Sequence, residues 1–105
     1  MRGGAPQGVA PTGGAPQGAQ INIKIDDEEL KGRYSNLLRI THTREEFILD
    51  FIHMVPPQGI VTSRIATSPG HLKRIIGALS ANLKRYEDAH GEIEAAPDPI
   101  GGPVH

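Results

Sequence analysis

Between Asn36 and Thr67 apolar residues come in short runs spaced by Arg44-Glu45-Glu46 and by Pro56-Pro57, and from Leu72 to Tyr86 they recur at every third or fourth position. The first pattern is that of strands and the second that of a helix. The strand region centres on Phe47 to Met54, apolar on both alternating faces except for Asp50 and His53. Asn36 to Thr43 precedes it across Arg44-Glu45-Glu46, a hairpin spacing without the Asn-Gly signal of the tightest turns. With His42 facing Phe47, Ile40 meets Leu49, Leu38 meets Phe51 and Arg39 meets Asp50. One face then reads Leu38, Ile40, Phe47, Leu49 and Phe51, a core face. The other reads Leu37, Arg39, Thr41, Ile48, Asp50, Ile52 and Met54, and is mixed.

Val55-Pro56-Pro57-Gln58-Gly59 is expected to leave the sheet, because two prolines remove ladder donors and glycine permits a turn. Ile60 to Thr67 returns as a third strand. Keeping Val61 and Ile65 on the core face places Ile60, Thr62, Arg64 and Ala66 on the mixed one. Ser68-Pro69 then starts a helix, with a side-chain acceptor at the cap and proline where its missing N–H costs nothing. Leu72, Ile75, Ile76, Leu79, Leu83 and Tyr86 fall on one stripe, and Gly91 is the expected stop. Such a helix is expected to lie diagonally across the core face.

Ile21 to Ile25 alternates strictly and reads as a short N-terminal strand; the acids Asp26 to Glu29 read as a helical turn or a loop. Residues 1–20 hold Gly-Gly-Ala-Pro-Gln-Gly twice, and 95–105 are rich in proline and glycine, so both ends read as disordered tails. The fold class expected is α+β: a small antiparallel sheet of three to four strands and one long C-terminal helix, folded over 21–94.

Composition narrows the partners. Eleven Lys and Arg stand against twelve Asp and Glu, so no net field favours nucleic acid or a membrane surface. There is no cysteine, which excludes disulfides and thiolate metal sites. The start of the chain lacks the apolar core of a signal peptide, and no run reaches membrane-spanning length, so a cytoplasmic protein is the default expectation.

Tyr34-Ser35-Asn36, Phe47 with Leu49-Asp50-Phe51, Arg64-Ile65, Ser68-Pro69, His71, Lys73-Arg74, Leu79, Asn82, Tyr86-Glu87 and Gly91-Glu92-Ile93 together resemble a small bacterial family known as a domain of unknown function. The resemblance spans about 21–94 and implies a strand meander followed by a Ser-Pro-capped helix, with no activity attached. The layout is also loosely similar to SecB-type chaperones, though the chain lacks that fold's second helical segment.

Three groups of residues invite chemistry. Asp50 on a central strand needs partners, and Arg39 and Arg64 are placed to supply them, as a structural ion cluster or as an anion site. Leu37, Ile48, Ile52, Met54 and Ile60 make the mixed face too apolar for water, a candidate interaction surface. Lys73, Arg74, Lys84 and Arg85 form a candidate basic helix face, suited to phosphates or to close helix packing around Gly70, Gly77 and Ala81. His42, His53, His71 and His90 show no metal-ligand spacing, and no catalytic residues, cofactor or metal are expected. The expected role is a non-enzymatic homo-oligomeric interaction module; alternatives are a chaperone-like binder of extended polypeptide and a nucleic-acid accessory protein.

Overall fold

The computed structural model describes residues 20–101 of the 105-residue chain. Residues 1–19 of the expected N-terminal repeat tail and the last four residues of the C-terminal tail lie outside them. The chain divides into a unit ending at Lys31 and a unit beginning at Gly32. In the first, Asp27–Leu30 forms a single helical turn, α1, closed by Glu29 N–H on Asp26 O at 2.9 Å. Ile21, Ile23 and Ile25 are exposed and form no strand, which corrects the reading of a fourth strand there. Alternation supplies the side-chain pattern of a strand, but a strand exists only with a ladder partner.

The second unit holds β1 (Leu37–His42), β2 (Phe47–Val55), β3 (Gln58–Thr67) and α2 (Pro69–His90). The three strands form one antiparallel sheet in the order β1-β2-β3. Register between β1 and β2 is the one the hydrophobic pattern dictates: His42 opposite Phe47, Ile40 opposite Leu49, Arg39 opposite Asp50, Leu38 opposite Phe51. Thr43 closes the hairpin. Its N–H donates to Glu46 O at 2.9 Å, and its Oγ1 accepts from the N–H of Glu45 and Glu46 at 3.1 and 3.3 Å.

Ahead of β1, the Asn36 side chain acts as an extra rung of the ladder. Its Nδ2 donates to Met54 O at 3.0 Å and its Oδ1 accepts from Met54 N–H at 2.8 Å, while its own N–H reaches Ile52 O at 3.0 Å. A strand end that would otherwise fray is thereby tied to β2.

The second hairpin is tighter than the sequence suggests. β2 continues to Val55, which pairs with Gln58, so only Pro56-Pro57 leaves the ladder. A β-bulge then shifts the register: Phe51 opposes Ser63 but Ile52 opposes Val61, leaving Thr62 as the extra residue. Thr62 Oγ1 donates to Phe51 O at 3.0 Å. The bulge exchanges two residues between faces, correcting the expected placement. Val61 joins Ile52 and Leu37 on the mixed face, and Ile60 sits opposite His53 on the other.

The second face carries Leu38, Ile40, Leu49, Phe51, Ile60 and Ile65 between His42 and His53, and it has no Asp, Glu, Lys or Arg.

α2 is 22 residues long, about 33 Å at 1.5 Å per residue. Ser68 Oγ accepts from His71 N–H at 3.1 Å, and Gly91 ends the helix at φ 95°, a left-handed conformation suited to glycine. The helix does not lie on the sheet, against expectation. No residue of it is buried, and Ile76, Leu79, Leu83 and Tyr86 are about half or more exposed. The cause is the connection: β3 ends at Thr67 and α2 begins at Pro69, so one residue separates them. Chain reversal onto the same sheet takes a loop of about two to six residues. Among the described residues the buried hydrophobic side chains are Leu49 and Ile52 alone.

Candidate functional site

The ion cluster forms as its spacing implies. Arg39, Asp50 and Arg64 lie side by side across the three strands, because each is opposite the next in the two registers. Arg64 grips the carboxylate with two bonds, Nε to Oδ1 at 2.7 Å and Nη2 to Oδ2 at 2.9 Å. Arg39 Nη2 adds a third at 3.1 Å. The two arginine side chains remain well exposed while they cover Asp50, whose residual exposure is 2 %. Long cationic side chains can shield a strand this way while their heads stay in water.

The Arg64 hydrogen bonds hold the Asp50 pKa down to about 2 from its ordinary 3.8. Desolvation of the shielded carboxylate pushes the other way, and Arg39 adds to the lowering. Arg64 is raised in turn, chiefly by its hydrogen bond to Asp50. A carboxylate held by two guanidiniums is ionised at neutral pH and committed to them, which suits it to fixing strand register rather than to moving protons.

On the same face, the residues singled out as an interaction surface are less open than their composition suggests. Ile52 is buried, and Leu37, Ile48 and Met54 are half-buried. Met54 folds down over Gly59, where a Cβ would stand 2.6 Å from the Met54 methyl and 3.6 Å from Ile52 Cγ2. The glycine is therefore what lets Met54 close over Ile52. Ile60 is exposed but belongs to the opposite face.

The strongly exposed apolar side chains of the sheet are Leu38, Ile40, Val55, Ile60 and Ile65 on the uncharged face, joined by Val61 on the other. Sequence reasoning assigned that uncharged face to the protein's own helix. The signal against it was available: Ser68-Pro69 follows the last alternating residue with no loop between them. The bulge at Thr62 had no comparable signal.

The basic residues of α2 are partly occupied. Lys84 Nζ pairs with Asp88 Oδ2 at 2.9 Å, and Arg85 Nη2 donates to Asn82 Oδ1 at 2.7 Å. Lys73 and Arg74 lie a few turns earlier, so the four do not form one unbroken cationic patch. Three of the histidines meet aromatic rings: His42 with Phe47 at 4.9 Å, His53 with Tyr34 at 5.0 Å, and His90 with Tyr86 at 4.8 Å between centroids. Among the described residues no group of three or more His, Asp or Glu is placed to hold a metal ion. Among them, too, no helix is long and apolar enough to cross a membrane.

These features define a small α+β module: a three-stranded meander pinned on one face by an Arg-Asp-Arg cluster, uncharged on the other, and followed by an uncovered amphipathic helix. The chain belongs to the family described as protein of unknown function (DUF3467), whose model matches residues 5–95. No curated protein and no solved structure matches it significantly.

Proposed function

We propose that the chain is a non-enzymatic interaction module that works as a homo-oligomer. The observation that supports this reading is the imbalance of apolar surface. Most of a helix stripe and the side chains of Leu38, Ile40, Val55, Ile60 and Ile65 on one sheet face are exposed, while two hydrophobic side chains among the described residues, Leu49 and Ile52, are buried. A domain this small has little core to spare, and contiguous apolar faces of this kind mark association surfaces. A second copy carries the same two surfaces, so self-association answers both needs at once. Light scattering on the full chain tests the reading: a dimer or tetramer is expected, and a stable, folded monomer refutes it.

A chaperone-like role is the second reading. It draws on the exposed Leu38, Ile40 and Ile65, which could take alternate side chains of an extended client. It predicts that the protein suppresses aggregation of unrelated unfolded proteins. Binding to nucleic acid has less support, since Lys84 is paired with Asp88 and exposed aromatic platforms are scarce.

A further inference from the structure

We infer that the two copies exchange helices: α2 of each chain lies across the uncharged sheet face of the other. The inference rests on the homo-oligomer reading and specifies which surfaces meet. α2 does not turn back onto its own sheet: Ser68 alone separates it from β3 and is extended, at φ −77° and ψ 155°, as helix cap. Pro69 fixes the next step of the chain. The helix therefore carries its apolar stripe away from the strands that made it.

The two surfaces match in size and chemistry. From Leu72 to Tyr86 the stripe spans about 21 Å at 1.5 Å per residue. A strand of β2's nine residues spans about 30 Å at 3.3 Å per residue. The receiving face has no charge to desolvate, whereas the opposite face is closed by Arg39, Asp50 and Arg64.

Coverage separates this arrangement from its rivals. Pairing α2 with α2 buries both stripes and leaves both sheet faces in water. Pairing the free edges of β1 or β3 leaves all four surfaces open. Exchange covers both stripes and both faces through one twofold relation, with each residue of the stripe meeting the partner's sheet and the reverse.

The chain has no cysteine, so single thiols can be placed without background. Full-length Ile40→Cys and Leu79→Cys chains, carrying tags of different size, are co-expressed and treated with a short bis-maleimide. Ile65→Cys with Ile76→Cys is the second pair, guarding against a difference in register or a folding defect in the first. Exchange predicts mixed products joining sheet to helix in at least one pair, in excess of helix-to-helix products. Preferential linkage of Leu79→Cys to itself overturns the exchange while leaving the homo-oligomer standing, and so does a dimer with no mixed product in either pair. A monomeric mass before cross-linking overturns both.

Discussion

Leu79 sits at the middle of the stripe and is 65 % exposed in the single chain, so whatever it contributes beyond the free fold comes from association. Full burial of a leucine side chain contributes about 1.5–3 kcal/mol, and covering the exposed two-thirds therefore contributes about 1–2 kcal/mol per copy. Leu79→Ala gives up most of that, and a twofold dimer contains the contact twice. The dimer should lose about 2–3 kcal/mol, which raises its dissociation constant about 30- to 150-fold. The isolated chain should lose nothing measurable, because alanine is at least as good a helix former as leucine.

The assay is a dilution series followed by sedimentation equilibrium and by helical circular dichroism. Most of a helix's stability in a protein comes from packing of its amphipathic face, so ellipticity should fall as the dimer dissociates. The variant should reach both transitions at higher concentration than the parent. An unchanged dissociation constant refutes the claim that the stripe is an interface.

Two further substitutions probe other parts of the argument. Gly77 lies on the side of α2 away from the stripe, and a Cβ there meets nothing within 4 Å. Gly77→Ala should therefore stabilise the helix by about 0.5–1 kcal/mol and leave the dimer mass unchanged; a weakened dimer would place the small residues in the interface instead. Asp50 has a folded pKa of about 2, below its ordinary 3.8. Its contribution to stability is fully present above the higher value and is lost as pH falls through the lower. Asp50→Asn should thus be less stable than the parent by a constant margin from neutrality to about pH 4, with the margin closing towards pH 2 in denaturant titrations. A margin that does not depend on pH sinks the assignment.

The elements of the meander were legible because each strand carries its register in its own side chains. Arg39, Asp50 and Arg64 needed one another, and only one pairing brings them level. Ser68-Pro69 and Gly91 marked both ends of α2 for the same local reason. Three features were not legible from alternation. Ile21 to Ile25 has the period of a strand but no partner in the sheet. The bulge at Thr62 depends on a shift in pairing that the pattern of β3 does not announce, so Val61 and Ile60 changed places. The helix stripe marked an apolar face of α2 but not what meets it, since periodicity identifies an apolar face without naming its partner. The candidate site divided in the same way: the ion cluster followed from local need, while the proposed association surface depended on where the helix goes.

On the helix-exchange proposal, the ion cluster and the uncharged face form one device. A three-stranded sheet that is apolar on both sides would offer a partner helix two equivalent seats, and chains could then add without closing. On that proposal Arg39, Asp50 and Arg64 close one of the seats. Replacing all three by apolar residues of similar volume, Arg39→Met, Asp50→Leu and Arg64→Met, removes the charges together and leaves none of them stranded; such exchanges are often neutral or stabilising for the fold itself. The substituted chain should therefore stay folded by circular dichroism yet lose its single solution mass, giving a broad distribution of larger species by light scattering. If it keeps the parent's mass over the same concentration range, the cluster does not select the face, and its role ends with fixing the register of the strands.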